Sequence, residues 1–266
     1  MQVIIAWILV LAGSLHALLP AVPKGDKLNL DGYELAFCDE FEGEELDDSV
    51  WYCRFPGDMN AGHNSLSQVS VSNGKLTITG EYLEDGEYGA GYYSASIALR
   101  QKYTTGYFEI KCKCADSRYY WSAFWLQSGT SYDNEISAGG VGGAEIDIFE
   151  AMESRYFPFE LRNSVKTTIY CNGSDALPDR IDRQRVGKYY VGNLYDEYHT
   201  FGLKWTEEEY IFYIDGIESG RSSFGKGVST VPEEVIVSLE IPKTMLAPHD
   251  HVTTYDVDYV KIWSAV

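Results

Sequence analysis

The stretch Gly106-Tyr-Phe-Glu-Ile-Lys-Cys-Lys-Cys114 alternates its side chains with the period of two that is typical of a β-strand. Phe108, Ile110, Cys112 and Cys114 fall on one face of that strand. We expect this face to pack on a core and the opposite face to be wet, as in an antiparallel sheet covered on one side.

Segments with a similar β pattern recur along the chain after Lys24, and Gly, Asn and Asp residues separate them. Asp215-Gly216 lies between two such segments and is a strong hairpin signal. No stretch longer than about ten residues carries the apolar period of a helix. The sequence therefore predicts an all-β fold, a two-sheet β-sandwich of the jelly-roll type. The segments cover residues 75–79, 92–99, 106–114, 121–126, 144–149, 165–171, 199–205, 210–214, 235–239 and 257–263.

Composition and charge limit the class of protein. A chain of 266 residues with 45% hydrophobic side chains can bury one sizeable core. Its 21 Lys and Arg against 40 Asp and Glu give a net charge of −19. Nucleic acid is excluded as a partner, because phosphate binding needs clustered cations. Long-range repulsion also disfavours a polyanionic substrate.

The N-terminal segment differs from the rest. Residues 3–12 form an unbroken apolar run, which predicts a secretory signal peptide over residues 1–22, cleaved after Ala17. A retained anchor at the cell surface is the alternative. Residues 23–266 would then form a single domain that is secreted, monomeric and not stably inserted in a membrane.

The five cysteines are an odd number, so at least one thiol cannot take part in an internal disulfide. Cys112 and Cys114 would point to the same face of one strand, which makes a disulfide between them awkward. We expect buried apolar thiols there rather than a metal site.

The hexapeptide Glu145-Ile-Asp-Ile-Phe-Glu150 carries three carboxylates. In a regular strand Glu145 and Asp147 share a face, whereas Glu150 points the opposite way. One bulged residue near Phe149 would bring Glu150 back to the first face. All three acids would then line one side of a single strand.

Such crowding raises the pKa of at least one acid, which a proton donor needs near neutral pH. Two carboxyl groups about 5–5.5 Å apart are the geometry of a retaining glycosidase. The segment therefore predicts catalysis on a sugar. An exposed acidic strand edge and a calcium site built from the same carboxylates are the alternatives.

Two tryptophans precede this segment. Trp121, Ala123 and Trp125 fall on one face of their strand, so the two indoles can form a platform that stacks on sugar rings. We expect Trp121 to face the ligand, whereas Trp125 fits a ligand-facing or a core position equally well.

The hexapeptide resembles the active-site signature of glycoside hydrolase family 16, in the bulged form found in laminarinases, agarases and carrageenases. Other segments resemble this family over about residues 35–264. They are Phe37-Cys-Asp-Glu-Phe-Glu-Gly43 with Trp51, Gly106-Tyr-Phe-Glu-Ile110, Ala123-Phe-Trp-Leu126, His199-Thr-Phe-Gly-Leu-Lys-Trp205 with Asp215-Gly216, and Val257-Asp-Tyr-Val-Lys-Ile262.

The resemblance implies a concave substrate cleft and a retaining double displacement. It assigns the nucleophile to Glu145, the general acid/base to Glu150 and an assisting role to Asp147. It also implies a structural calcium with Asp258 as a ligand, and a substrate-binding Asn at Asn64. No cofactor is implied for catalysis.

The chain departs from the family pattern on one strand. Relatives commonly show a His followed by a Trp where this chain reads Thr168-Ile-Tyr170-Cys171. Tyr170 would replace part of the sugar contact that the Trp makes.

The sequence therefore predicts a secreted, endo-acting, retaining β-glycosidase that hydrolyses a neutral polysaccharide, first of all a laminarin-like β-1,3-glucan. Mixed-linkage glucan and a β-galactan of the agarose or carrageenan kind follow, with transglycosylation as a variant. A sulfated galactan is least compatible with the charge of −19, unless the cleft is locally basic. A lectin-like sandwich without turnover is the alternative from another class.

Overall fold

Two β-sheets packed face to face make up the fold in the computed structural model. The structure describes residues 20–129, 139–152, 155–156, 159–160, 163–172, 181–243 and 246–266. Residues 1–19 lie outside these ranges, so the signal peptide stays a prediction. Within the described ranges, no helix is long and apolar enough to cross a membrane.

The larger sheet has eleven strands within the described residues. They are β1 (Tyr33–Asp39), β3 (Gly57–Met59), β4 (Gly62–Asn64), β5 (Val69–Val71), β6 (Leu76–Gly86), β7 (Gly89–Ser94), β9 (Gly106–Lys113), β16 (His199–Trp205), β17 (Tyr210–Ile214), β18 (Ile217–Ser222) and β20 (Thr253–Ala265). Their order is β18-β17-β16-β9-β20-β6-β7-β4-β3, with β1 paired to β20 and β5 to β6.

The smaller sheet, with seven strands in the same part of the chain, carries the acidic hexapeptide. It contains β2 (Trp51–Cys53), β8 (Ser96–Leu99), β10 (Trp121–Gln127), β11 (Ala144–Ala151), β14 (Ser164–Asn172), β15 (Ile181–Tyr190) and β19 (Glu234–Glu240). The order β15-β14-β11-β10-β19-β8-β2 puts β11 between β14 and β10. A separate hairpin, β12 (Arg155–Tyr156) with β13 (Phe159–Glu160), and two short 3-10 helices, Leu66–Gln68 and Gly139–Gly142, complete the described elements.

The core lies between the two sheets. Phe149 of β11 stacks on Phe201 of β16 across it, with ring centroids 4.0 Å apart. The hairpin at Asp215-Gly216 is present, and its φ values of 49° and 71° are those of a type I′ turn. The predicted all-β sandwich is therefore confirmed.

The outer face of β9 is drier than its alternation predicts. Phe108, Ile110 and Cys112 are buried as expected, but Tyr107 and Glu109 on the opposite face are also buried. The ring of Tyr107 is covered by neighbouring aromatic rings, and its hydroxyl donates to Glu109 Oε2 at 2.6 Å. The expectation of a fully wet face was therefore wrong in this half of the strand.

All five cysteines lie within the described residues and are free thiols. Cys112 and Cys114 are buried, as expected, with 1% and 2% of their surface exposed. No group of three or more His, Cys, Asp or Glu residues in the described part of the chain could hold a metal ion.

Candidate active site

The predicted bulge is present in β11. Phe149 pairs with Phe124 of β10 and Asp147 pairs with Trp125, so Ile148 is one extra residue in the ladder. The pairing with β14 shifts at the same place. Thr167 Oγ1 of β14 donates to the carbonyl oxygen of Ile148 at 3.0 Å, which gives a partner to a group that the interrupted ladder leaves free.

Because of this bulge, the three acids line one cleft. Glu145, Asp147 and Glu150 border a cavity of about 170 Å³ on the face of the smaller sheet that points away from the core. Trp121 and Trp125 of β10 border the same cavity. The arrangement brings an aromatic platform and three carboxylates together, which suits a sugar substrate.

Burial and mutual repulsion raise the pKa of two of these acids. Burial raises the pKa of Asp147 well above its usual range, and the nearby carboxylates of Glu150, Glu145 and Glu240 raise it further. Burial also raises the pKa of Glu150, although Lys166 opposes the shift and the Trp121 side chain donates a hydrogen bond that lowers it. A carboxyl group that holds its proton near neutral pH can act as a general acid.

Glu240 is a fourth acid in this cleft, and the sequence reasoning missed it. It lies on β19 directly across from Trp121, and it borders the same cavity as the three predicted acids. Its Oε1 atom is buried and has no hydrogen-bond partner among the described residues. Its position after the buried run 235–239 was the available signal, but the neighbouring strand is not readable from sequence.

The two tryptophans differ in their surroundings. Both are half-buried in the cleft wall. The indole nitrogen of Trp125 donates to Ser238 Oγ at 3.0 Å, and the guanidinium of Arg54 lies over its ring at 4.8 Å. Trp125 is therefore a fixed part of the wall, and Trp121 is the one that contacts an acid.

A second cavity, of about 280 Å³, adjoins the first because Glu150 borders both. Lys166 of β14 and Arg183 and Arg185 of β15 line it together with Tyr170. We call this second cavity the basic pocket. Tyr170 lies across from Glu145 in the β11–β14 ladder, and the Arg183 side chain donates a hydrogen bond to it. The cleft is thus locally basic on the Glu150 side.

Asn64 does not face the cleft as a free side chain. It is 3% exposed, and its amide nitrogen donates to the carbonyl oxygens of Arg54 and Phe55, the latter at 3.2 Å. Its Oδ1 atom accepts from the Ser96 amide at 2.7 Å. Main-chain partners bind both ends of the amide group, which gives Asn64 a structural role in fixing the segment at Arg54. Its contact with substrate stays a prediction.

Asp258 does not fit a calcium site. Its carboxylate is paired with Lys111 Nζ at 2.6 Å on the outer face of the larger sheet. An ammonium already neutralises the charge that a cation would need, and the carboxylate belongs to no group of potential metal ligands in the described residues. The calcium expectation is therefore not supported.

Comparison with known proteins gives the family. The family model described as "Beta-porphyranase A-D, GH16 domain" matches residues 34–265. A β-porphyranase E from Zobellia galactanivorans is 31% identical over 189 residues, which are 68% of this chain and 65% of that protein. An endo-1,3-1,4-beta-glycanase, ExsH, from Rhizobium meliloti is 26% identical over 209 residues, or 75% of this chain and 40% of that protein. This chain therefore spans less than two thirds of the length of either relative.

The fold has a close counterpart among solved structures. A κ-carrageenase from Zobellia galactanivorans superposes with a TM-score of 0.73 at 20% identity, covering 92% of this chain and 99% of that one. At this identity the likeness concerns the fold alone. The family model spans nearly the whole described chain, and the fold agrees with it: the chain belongs to glycoside hydrolase family 16.

Proposed function

We propose that this chain is an endo-acting, retaining β-glycanase whose preferred substrate is a sulfated galactan. Glu150 gives its proton to the glycosidic oxygen as the bond to the anomeric carbon breaks, and the Glu145 carboxylate forms an ester bond to that carbon. Glu150, now ionised, then takes a proton from water as the water oxygen attacks the same carbon and releases Glu145. Asp147 assists by sharing a proton with its neighbours.

The basic pocket is the observation that carries the substrate proposal. In a chain with a net charge of −19, three cations line the cavity next to Glu150, and Glu150 is the one carboxylate among the described residues that line it. Burial lowers the pKa of Lys166, the Glu150 carboxylate opposes this shift, and the charges of Arg185 and Arg183 lower the pKa further, so an additional anion in the pocket would offset like-charge repulsion. Arginine forks match the geometry of a sulfate ester and bind it with charge-assisted hydrogen bonds.

The match to a family model named for β-porphyranases, and a relative named β-porphyranase E, support the same choice. The net charge that favoured a neutral glucan acts at long range and is screened within about 8–10 Å at ordinary ionic strength. Contacts inside the cleft are shorter than that. The local charge therefore outweighs the overall charge in choosing the substrate.

A neutral β-glucan remains the second candidate. The relative named endo-1,3-1,4-beta-glycanase favours it, as does the aromatic platform of Trp121 and Trp125, which would stack on an uncharged sugar equally well.

A substrate panel tests the choice. The purified protein is incubated with porphyran, κ-carrageenan, agarose, laminarin and mixed-linkage glucan, and new reducing ends are measured. We expect the highest kcat/KM on a sulfated galactan, and a loss of activity after chemical desulfation of that substrate. Highest activity on laminarin would favour the second candidate. Binding without turnover on every polysaccharide would favour the lectin-like alternative.

A charge-matched pair of variants tests the pocket itself. The double variant Arg183→Gln/Arg185→Gln should raise KM on the sulfated substrate by about 10-fold or more, since hydrogen bonds to charged groups contribute about 1.5–3 kcal/mol each. Lys111→Gln/Lys113→Gln removes two charges from the outer face of the larger sheet and should leave KM unchanged. An equal effect in both variants would show a response to overall charge, contrary to a built pocket.

We also propose that the protein is exported and acts as a monomer. The apolar run 3–12 supports export. N-terminal sequencing of the protein recovered from the medium should find a start near residue 18, and recovery only from the membrane fraction would favour the anchored alternative. Light scattering of the purified protein tests the monomer.

A further inference from the structure

We infer that Gln127, held in orientation by Arg54, is the positioning residue for Glu145. The inference rests on the proposed function for its meaning in catalysis, but its geometry stands on three adjacent strands. Neither residue was singled out by the sequence, where each occurs in an ordinary strand or turn context.

The contacts form a row across the smaller sheet. Gln127 of β10 pairs directly with Glu145 of β11 on one side and with Glu234 of β19 on the other. Its Nε2 atom donates to Glu145 Oε2 at 2.5 Å. Arg54 donates from Nη2 to Gln127 Oε1, and from Nε to Glu234 Oε2 at 3.1 Å.

Arg54 itself has little freedom. It is 6% exposed, and its guanidinium lies over the ring of Phe55 and over the ring of Trp125, at 4.5 and 4.8 Å from their centroids. Its amide donates to the Ser96 carbonyl at 2.8 Å, and its own carbonyl accepts from Asn64. The buried amide of Asn64 thus fixes the backbone from which the guanidinium projects.

This arrangement determines which way the glutamine amide points. Because Arg54 carries only donors, it can bond only to the carbonyl oxygen of Gln127, and the amide nitrogen must then face Glu145. The Glu145 carboxylate thus receives a fixed amide donor at Oε2. A neutral amide donor orients the carboxylate that is to attack the anomeric carbon and adds no charge of its own beside it.

The charges around Glu145 explain why such a donor matters. Asp147 and Glu150 from its own strand and Glu240 from β19 are electrostatically coupled to Glu145, and each of them disfavours its ionised form once it has lost its own proton. On β14 it faces Tyr170, with Lys166 farther along the strand. A nucleophile must be ionised to attack, so a hydrogen bond to the charged form works against the three neighbouring acids.

The experiment compares Gln127→Met with wild type by two independent readouts. The first is ¹³C NMR titration of labelled glutamate carboxyls, with the Glu145 signal assigned from Glu145→Gln; it needs no substrate. The second is the pH profile of kcat/KM on the best polysaccharide of the panel. Gln184→Met, at an exposed glutamine on β15, is the matched control.

Gln127→Met should raise the Glu145 midpoint and the acid limb of kcat/KM by about one pH unit, and lower kcat/KM about 10-fold or more. Gln127→Glu, which adds a like charge, should raise the midpoint further. An unchanged midpoint in Gln127→Met overturns the inference, even if its melting temperature falls, because the role would then be structural only. A shifted midpoint in a protein whose wild type hydrolyses nothing upholds the positioning and refutes the proposed function.

Discussion

Replacing the buried Glu233 by glutamine should flatten the dependence of stability on pH. Glu233 is fully buried, and its Oε1 atom accepts from the backbone amide of Ala144 at 3.1 Å, next to Glu145. Burial raises the pKa of Glu233 from 4.5 to about 8, against hydrogen bonds from Ser229 and Ala144 that lower it. The folded protein therefore keeps a proton that the unfolded chain releases.

The sign and size of the pH dependence follow from the pKa difference of Glu233 between the folded and unfolded states. Between the unfolded pKa of 4.5 and the folded pKa of about 8, the folded state binds more protons, so stability falls as pH rises. At about 1.36 kcal/mol per pKa unit, wild type should lose about 4 kcal/mol between about pH 5 and about pH 8.5 through this group. Glu233→Gln stays neutral and keeps an oxygen for the Ala144 amide, so it should lack this loss.

The assay is urea or thermal unfolding of wild type, Glu233→Gln and the control Glu44→Gln, which neutralises an exposed glutamate. The difference in free energy of unfolding between Glu233→Gln and wild type should grow with pH by about 4 kcal/mol, or about 8–16 °C in Tm. Glu44→Gln should run parallel to wild type. If the Glu233→Gln curve also runs parallel to wild type, Glu233 is ionised in the folded protein and the reasoning is refuted.

Four other substitutions test the site. Glu145→Ala and Glu150→Ala should each lower turnover at least about 100-fold; azide should rescue the first with an inverted product and the second with a retained one, and swapped outcomes would reverse the two roles. Thr167→Val removes the hydrogen bond to the Ile148 carbonyl and should cost about 1–3 kcal/mol in urea unfolding together with a fall in kcat, whereas full stability would mean that the bulge needs no such partner. Glu240→Gln removes a charge that raises the pKa of Glu150, so the basic limb of the pH profile of kcat should move to lower pH by up to about one pH unit. A shift to higher pH would contradict the effect of Glu240 on Glu150.

The fold could be predicted where side chains alternate over a core. The segments 199–205 and 210–214 have the bounds of β16 and β17, and the turn between β17 and β18 is written in Asp215-Gly216. β15 (Ile181–Tyr190) was missed, because this edge strand is largely exposed and polar and has no apolar period. Arg183 and Arg185 of the basic pocket lie on this strand, so the charge of the cleft could not be predicted without it.

The candidate site was readable only where it is local in sequence. Glu145, Asp147 and Glu150 stand within one strand, so their shared face follows from alternation and one bulge. Glu240 reaches the same cleft through strand order, and Arg54 reaches Gln127 from the segment that follows β2; the hydrophobic pattern reveals neither. Their roles in catalysis remain predictions, as do those of the three acids.

The bulge at Ile148 also bears on how such a strand can change in length. Without Ile148 the strand would read Glu-Ile-Asp-Phe-Glu, and simple alternation would again put all three acids on one side and the apolar residues on the other. Two strand lengths are thus compatible with the same acidic face, and they differ by one residue between the outer two carboxyl groups. Changing from one strand length to the other requires the insertion or deletion of a whole residue. A single substitution cannot do this, because it would interrupt either the acidic face or the apolar face.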